Sequence, residues 1–187
     1  FVVLAIVAYN RFLKVPVVMG FVRAFNLLLG IAAGRRIMLD IAGQPWQYAI
    51  LMVPALVYVS ALTYISTMED SKPEKRKVMI GTGVMALGAL LAALAGPVVQ
   101  IVVYFAPTGG AVFKVLWAFL FVIVLVGWLV RRALHVQHEG SVKLLVRDGV
   151  GGIIFLDATL LASCEDAVSA LMVATLVFPA VLSVAAF

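Results

Sequence analysis

Long apolar runs limit the fold of this sequence more than any other feature. Residues 46–66 contain no charged side chain, and residues 111–130 contain one, Lys114. A run of about 20 apolar residues matches the thickness of a bilayer core. The whole chain is 65% hydrophobic and 12% charged, whereas a soluble domain would confine its apolar residues to one face of each helix. The runs therefore predict an all-α fold, a multi-span transmembrane helical bundle of an integral membrane protein.

The apolar runs divide the chain into the helices of one transmembrane domain that covers residues 1–187. We predict a partial helix at 1–10 and longer helices at 15–33, 46–66, 77–95, 111–131, 149–163 and 167–186. Residues 97–107 are too short to span alone, so they either extend the preceding helix or lie in the membrane interface. Residues 1–10 lack the basic region and cleavage site of a signal peptide, and we expect further N-terminal helices to precede them.

Lysine and arginine are unevenly distributed among the loops. Ten of the fourteen fall in or beside loops 10–14, 67–76 and 132–148, which alternate with the other loops along the chain. Because cytoplasmic loops carry the excess of Lys and Arg, we predict that these three loops lie on the cytoplasmic face. This placement also accounts for the net charge of +5 without a nucleic-acid partner. The single cysteine, Cys164, excludes an intrachain disulfide.

Two polar side chains, Arg23 and Asn26, interrupt the apolar run at 15–33. Their i, i+3 spacing places them on one helix face, and an arginine in a membrane helix ordinarily faces a partner or a cavity. Asp157 is a candidate partner, because it and Arg23 each lie eight residues into their runs, at a depth of about 12 Å. Two alternatives stay open for Arg23: a structural ion pair with Asp157, or the lining of a ligand cavity.

The segment at 67–77, TMEDSKPEKRK, holds the densest mixture of acidic and basic residues. Asp70 and Glu74 are four residues apart, so one helical turn would bring their carboxylates together as magnesium ligands. Neighbouring lysines, Lys72 among them, would bind phosphates carried by such a metal. Pro73 interrupts that turn, and a solvated loop of mixed charge is the alternative that the residues alone favour.

Glycines recur at 81–88 and at 149–152. Gly81 and Gly88 are seven residues apart and share a helix face. Because small residues let membrane helices approach closely, we predict that these glycines serve helix packing.

The segment YNRFLKVPVVMGFVRAFNLLLG at 9–30 resembles the tyrosine–lysine–glycine–arginine–asparagine pattern in the middle of UbiA-type polyprenyl transferases. The segment YVSALTYISTMEDSKPEKRKVMIG at 58–81 falls where that family has its second aspartate-rich loop. The C-terminal part resembles bacterial members, in particular the divergent EboC-like branch. The resemblance covers essentially the whole chain. It implies the C-terminal portion of a membrane enzyme of the bacterial inner membrane.

The resemblance implies that the protein transfers a prenyl group from a prenyl diphosphate to a lipophilic acceptor, with Mg²⁺ as cofactor. Asp70 and Glu74 would be the metal ligands of the second motif, and Lys14 would contact the diphosphate. Membrane lipids and other membrane subunits are the further partners that we expect. We expect the remaining substrate-binding residues to be Arg23, Asn26, Tyr64 and Lys72.

Two departures from the family pattern motivate an alternative function. The first aspartate-rich motif would lie upstream of Phe1, and the second lacks the family's spaced aspartates and is crowded by lysines. The alternative is a non-catalytic relative that binds a lipid or pigment, or that serves as a structural subunit of a larger membrane complex. Intramembrane charge also occurs in transporters, but no inverted repeat supports that class.

Overall fold

The computed structural model describes residues 15–34, 45–69, 74–104, 111–136, 139–164 and 167–175. These residues form helices joined by short connections, with no strand among them, so the all-α prediction is confirmed for the described chain. The predicted helix at 1–10 and the predicted end of the last helix, 176–186, lie outside these residues. The helices are α1 (Pro16–Gly34), α2 (Pro45–Ser66), α3 (Lys75–Tyr104), α4 (Ala111–Leu134), α5 (Glu139–Cys164) and α6 (Ala167–Thr175).

Helix α3 is longer than the run that predicted it. It has 30 residues and continues through Pro97 to Tyr104, so residues 97–104 extend the preceding helix, which is the first of the two predicted alternatives. Proline removes one backbone hydrogen bond, and membrane helices tolerate that loss when neighbouring groups satisfy the freed carbonyl.

Helix α5 begins at Glu139, and the prediction that residues 139–148 belong to a loop is wrong. Val142, Leu145 and Asp148 follow each other at intervals of three residues and are buried, so one face of this segment packs on the bundle as a helix. Hydropathy detects where a helix enters the hydrocarbon and does not detect where its hydrogen bonding starts. The segment was therefore missed because its other face is charged.

The core of the bundle lies among α2, α3 and α5, which all pack against one another. Helix α1 packs on α2, α4 packs on α3 and α5, and α6 packs on α5. Small residues fill the interior: Ala89, Ala92 and Ala93 of α3 are fully buried. Large apolar side chains of α4 face outward, and Leu116 and Ile123 are 62% and 69% exposed. An exposed apolar surface of this kind is typical of a face that contacts lipid or another protein.

Two helical segments, Lys75–Val99 and Phe113–Leu134, are long and apolar enough to cross a membrane. The segments Pro16–Leu27 and Ile50–Ser66 are apolar but shorter. Together with the outward-facing apolar side chains of α4, these lengths indicate a membrane protein.

Glycines set the distance between helices, as predicted for Gly81 and Gly88. A Cβ atom at Gly81 would lie 2.6 Å from Cγ1 of Ile65, and one at Gly88 would lie 2.9 Å from the backbone nitrogen of Tyr58. Real Cβ atoms essentially never come within 3.0 Å of another atom. The backbones of α2 and α3 therefore approach each other more closely than any larger residue would allow.

The helix ends that flank the three basic loops lie together at one end of the bundle, as the contacts between helices show. Gly20, Gly81 and Gly149 all meet the last two turns of α2, at Ser60, Ile65 and Leu62 respectively. The starts of α1 and α3 therefore lie where α2 ends, and Asp148 of α5 joins Arg132 of α4 at the same end. Residues 10–14 and 70–73 of the loops themselves lie outside the described chain.

We expect this end of the bundle to face the cytoplasm, because it gathers most of the basic residues. In a Cys164→Ser background, Ser71→Cys should react with a membrane-impermeant maleimide only after the cells are permeabilised. Gly109→Cys, which lies between α3 and α4 in the sequence, should react in intact cells. The reverse pattern would show that the orientation is inverted.

Candidate functional site

An ion pair joins α1 to α5 inside the apolar bundle. Nη2 of Arg23 donates a hydrogen bond to Oδ2 of Asp157, and the two side chains are 30% and 26% exposed. The backbones of α1 and α5 do not pack closely, since each helix packs on α2 instead. The long arginine side chain therefore bridges a gap between two helices. The structure therefore joins the two residues that we named as candidate partners.

The pairing of Arg23 with Asp157 supports the first of the two predicted roles, the structural ion pair. An unpaired charge in a membrane helix costs about 2.5–3.5 kcal/mol on insertion scales, and pairing relieves that cost for both residues. The two residues pair although α5 begins ten residues before Gly149. Depth depends on where the apolar run begins, and that position is visible in the sequence.

The ion pair leaves hydrogen-bonding capacity unused. Nε of Arg23 and Oδ1 of Asp157 are buried and have no hydrogen-bond partner among the described residues. The hydroxyl of Ser60 on α2 is also buried without a hydrogen-bond partner, and it lies where Gly20 of α1 crosses α2. Buried polar atoms in folded proteins are almost always paired. The site therefore retains one unpaired N–H donor on Arg23 and one unpaired acceptor oxygen on Asp157.

Asn26 takes no part in this site. Its side chain is exposed, and the hydrogen bond of Arg23 goes to Asp157 instead. A spacing of three residues leaves two side chains about 60° apart around a helix. That angle is sufficient to turn Asn26 away from the gap that Arg23 spans.

The proposed magnesium ligands are only partly described. Asp70 lies outside the described residues, as do the predicted phosphate-binding residues Lys14 and Lys72. Glu74 is exposed, and its Oε1 accepts a hydrogen bond of 2.7 Å from Nζ of Lys77. No group of three or more His, Cys, Asp or Glu side chains in the described part of the chain is placed to hold a metal ion. The described residues therefore do not by themselves fit a magnesium site.

Tyr64 lies in the last turn of α2, at the end of the bundle where the acidic segment begins. Its side chain is exposed, and one of its ring carbons lies 3.5 Å from where a Cβ of Gly81 would be. The predicted substrate-binding residues Tyr64 and Arg23 therefore lie on different helices.

Two further polar links were not predicted from the sequence. Nε of Arg132 donates a hydrogen bond of 2.6 Å to Oδ2 of Asp148, which is 7% exposed although we placed it in a solvated loop. The hydroxyl of the fully buried Tyr58 donates to the carbonyl of Gly149 at 3.0 Å. The glycines at 149 and 152 share a face, and this spacing is the signal that a large side chain packs against them.

Comparison with known proteins identified no relative of this chain. No protein-family model matches the chain, and no curated protein or solved structure is significantly similar to it. The resemblance to UbiA-type transferases therefore depends on the sequence motifs alone. The function of the chain has to be inferred from the geometry of its own residues.

Proposed function

We propose that this chain is a multi-span, UbiA-like membrane protein that transfers a prenyl group from a prenyl diphosphate to a lipophilic acceptor. The observation that carries the proposal is the Arg23–Asp157 pair, which lies in an apolar bundle and retains an unpartnered buried atom on each side. Ionisable residues within membrane helices commonly mark the site where a polar ligand is held.

Arg23 is suited to bind the diphosphate end of such a substrate. A guanidinium has five N–H donors, and the ion pair with Asp157 uses Nη2 while Nε stays unpartnered. Asp157 holds the guanidinium in place, so that Nε–H is available to a phosphate oxygen. When the bond between the first prenyl carbon and the diphosphate breaks, charge grows on the departing diphosphate, and a fixed cation stabilises that charge.

Oδ1 of Asp157 offers the complementary group. It is a buried acceptor without a partner, and a hydroxyl on the lipophilic acceptor is a donor of the kind that it lacks. Lys14 and Lys72 are the proposed additional cations for the diphosphate. The resemblance also implies Mg²⁺ between Asp70 and Glu74, but the described residues do not fit a metal site, and no step of the proposal depends on the metal.

The second candidate function is a non-catalytic protein that binds a lipid or pigment or supports a larger membrane complex. Three of the four acidic side chains described, those of Glu74, Asp148 and Asp157, are already paired with a cation of the same chain. Acids engaged in this way stabilise the fold and contribute less readily to catalysis. This observation favours a binding or structural role.

The proposal is tested by neutralising the ion pair without removing its hydrogen bond. The variant Arg23→Gln/Asp157→Asn should bind geranylgeranyl diphosphate at least tenfold more weakly than the wild type, because charge-assisted hydrogen bonds to phosphate are the strong ones. Binding and transfer of the labelled prenyl group to a membrane lipid extract are measured in nanodiscs. The matched control, Arg132→Gln/Asp148→Asn, removes the same charges from α4 and α5 and should bind as the wild type does.

The outcomes separate the two candidate functions. Transfer of the prenyl group by the wild type that the Arg23→Gln/Asp157→Asn variant loses and the control variant keeps would support the enzyme. Binding without transfer in every sample would support the non-catalytic protein. Equal binding by the Arg23→Gln/Asp157→Asn variant and its control would show that Arg23 does not contact the diphosphate.

A further inference from the structure

The first ten residues of α5 form a helical segment with two unlike faces. Val142 and Leu145 are buried against the bundle, whereas Lys143, Leu144 and Arg147 are exposed. Gly149, where the apolar run of this helix begins, follows Arg147 by two residues, a rise of about 3 Å. The exposed face of this segment therefore lies at the level where the apolar run begins.

The end of α4 lies beside this segment and adds further exposed charge. The Arg132–Asp148 ion pair ties the two helices together. Arg131 and Arg147 flank the two ends of that ion pair, and both are exposed. Neither arginine pairs with an acid in the part of the chain that the structure describes. We call the exposed residues of 131–135 and 143–147 the α4–α5 corner.

The α4–α5 corner presents the exposed Arg131 and Arg147, and exposed apolar side chains lie on the bilayer side of both. Val124 precedes Arg131 by two turns of α4 and is 49% exposed, and Val150 follows Arg147 by three residues of α5 and is 54% exposed. Guanidinium groups bind phosphate with two parallel hydrogen bonds. Apolar side chains beside such cations are typical of protein surfaces that sit among lipid headgroups. Lys75 and Arg76 at the start of α3 are exposed at the same end of the bundle and add to its positive potential.

We propose that the α4–α5 corner binds the phosphate of an anionic phospholipid, with Arg131 and Arg147 on the headgroup and the exposed Val124 and Val150 against its acyl carbons. Charge complementarity identifies the occupant, because neither Arg131 nor Arg147 has an acidic partner among the described residues. The exposed valines favour a lipid over free phosphate, which has no apolar part to contact them. This binding surface is separate from the Arg23–Asp157 site and does not depend on the proposed transfer activity.

The proposal is tested by native mass spectrometry of the purified protein with equal amounts of dioleoylphosphatidylglycerol and dioleoylphosphatidylcholine. The wild type should retain the anionic lipid at least fivefold more than the zwitterionic one. Retention of a single lipid depends on the guanidinium groups that bind its phosphate directly, so Arg131→Gln/Arg147→Gln should remove most of that preference. The matched control, Lys75→Gln/Arg76→Gln, removes the same charge at the same end and should keep the preference within twofold.

A second measurement does not depend on the folding of the arginine variants. Leu144→Cys in a Cys164→Ser background carries an environment-sensitive fluorophore, whose emission should shift to the blue in phosphatidylglycerol vesicles relative to phosphatidylcholine vesicles. Inorganic phosphate should cause no such shift. The proposal is overturned if the wild type shows no lipid preference, if the control variant loses as much preference as the arginine variant, or if phosphate alone reproduces the shift.

Discussion

Replacement of Asp157 by alanine should lower the free energy of unfolding by about 2.5–3.5 kcal/mol, the cost of an unpaired charge in a membrane helix. Arg23 would remain in the apolar gap between α1 and α5 with both Nη2 and Nε unpartnered. The measurement is reversible unfolding in mixed micelles, followed by far-UV circular dichroism. Glu74→Ala, which breaks the exposed ion pair with Lys77, should change stability little.

The double variant Arg23→Leu/Asp157→Leu separates the ion pair from the packing that surrounds it. Replacing both partners of a buried ion pair by apolar residues is often neutral or stabilising, so the double variant should regain most of the stability that Asp157→Ala loses. It should still fail to bind a prenyl diphosphate if Arg23 holds that ligand. A double variant as unstable as the single one would show that the pair does not act as a unit.

Gly88→Ala should destabilise the bundle by about 1–3 kcal/mol, the usual cost of forcing an extra carbon into a packed interior. The new Cβ would lie 2.9 Å from the backbone nitrogen of Tyr58 and 3.1 Å from the carbonyl oxygen of Pro54. Both contacts are with the backbone of α2, which cannot yield as a flexible side chain does. Relief therefore requires α2 and α3 to move apart along their shared interface.

Gly83→Ala is the matched control in the same helix. No atom lies within 4 Å of the Cβ that this substitution would add, and alanine favours a helix over glycine by about 1 kcal/mol. Gly83→Ala should therefore leave stability unchanged or raise it slightly in the same unfolding experiment. Equal losses in both variants would contradict a close approach of α2 to α3 at Gly88.

Much of the candidate site could be predicted from the sequence because charge is rare in the apolar runs. Arg23 and Asp157 are the charges that lie deep within their runs, and a depth counted from the run boundaries matched them correctly. Ser60 could not be predicted, since a serine in an apolar helix gives no sign of whether its hydroxyl finds a partner. The burial of that hydroxyl without a partner depends on Gly20 of α1 crossing α2 at that turn.

The start of α5 and the burial of Asp148 were not predictable for a related reason. Residues 139–148 are charged on one face, so a hydropathy average places them outside the hydrocarbon. Their helical structure depends on Val142 and Leu145 packing against the bundle, and Asp148 is buried because Arg132 of α4 reaches it. Asn26 is the opposite case, since its helical spacing from Arg23 indicated a shared site that the packing does not form.

By itself the sequence determined that the chain is helical and where its apolar helices lie. The length and hydropathy of an apolar run indicate whether lipid or water surrounds that segment. It also indicated that Arg23 faces either a partner or a cavity. Only the tertiary structure decided which helices touch, that Arg132 holds Asp148, and which polar atoms stay unpaired. Those properties depend on how helices are rotated and crossed, and the glycines at 20, 81 and 88 permit such close crossings without specifying their partners.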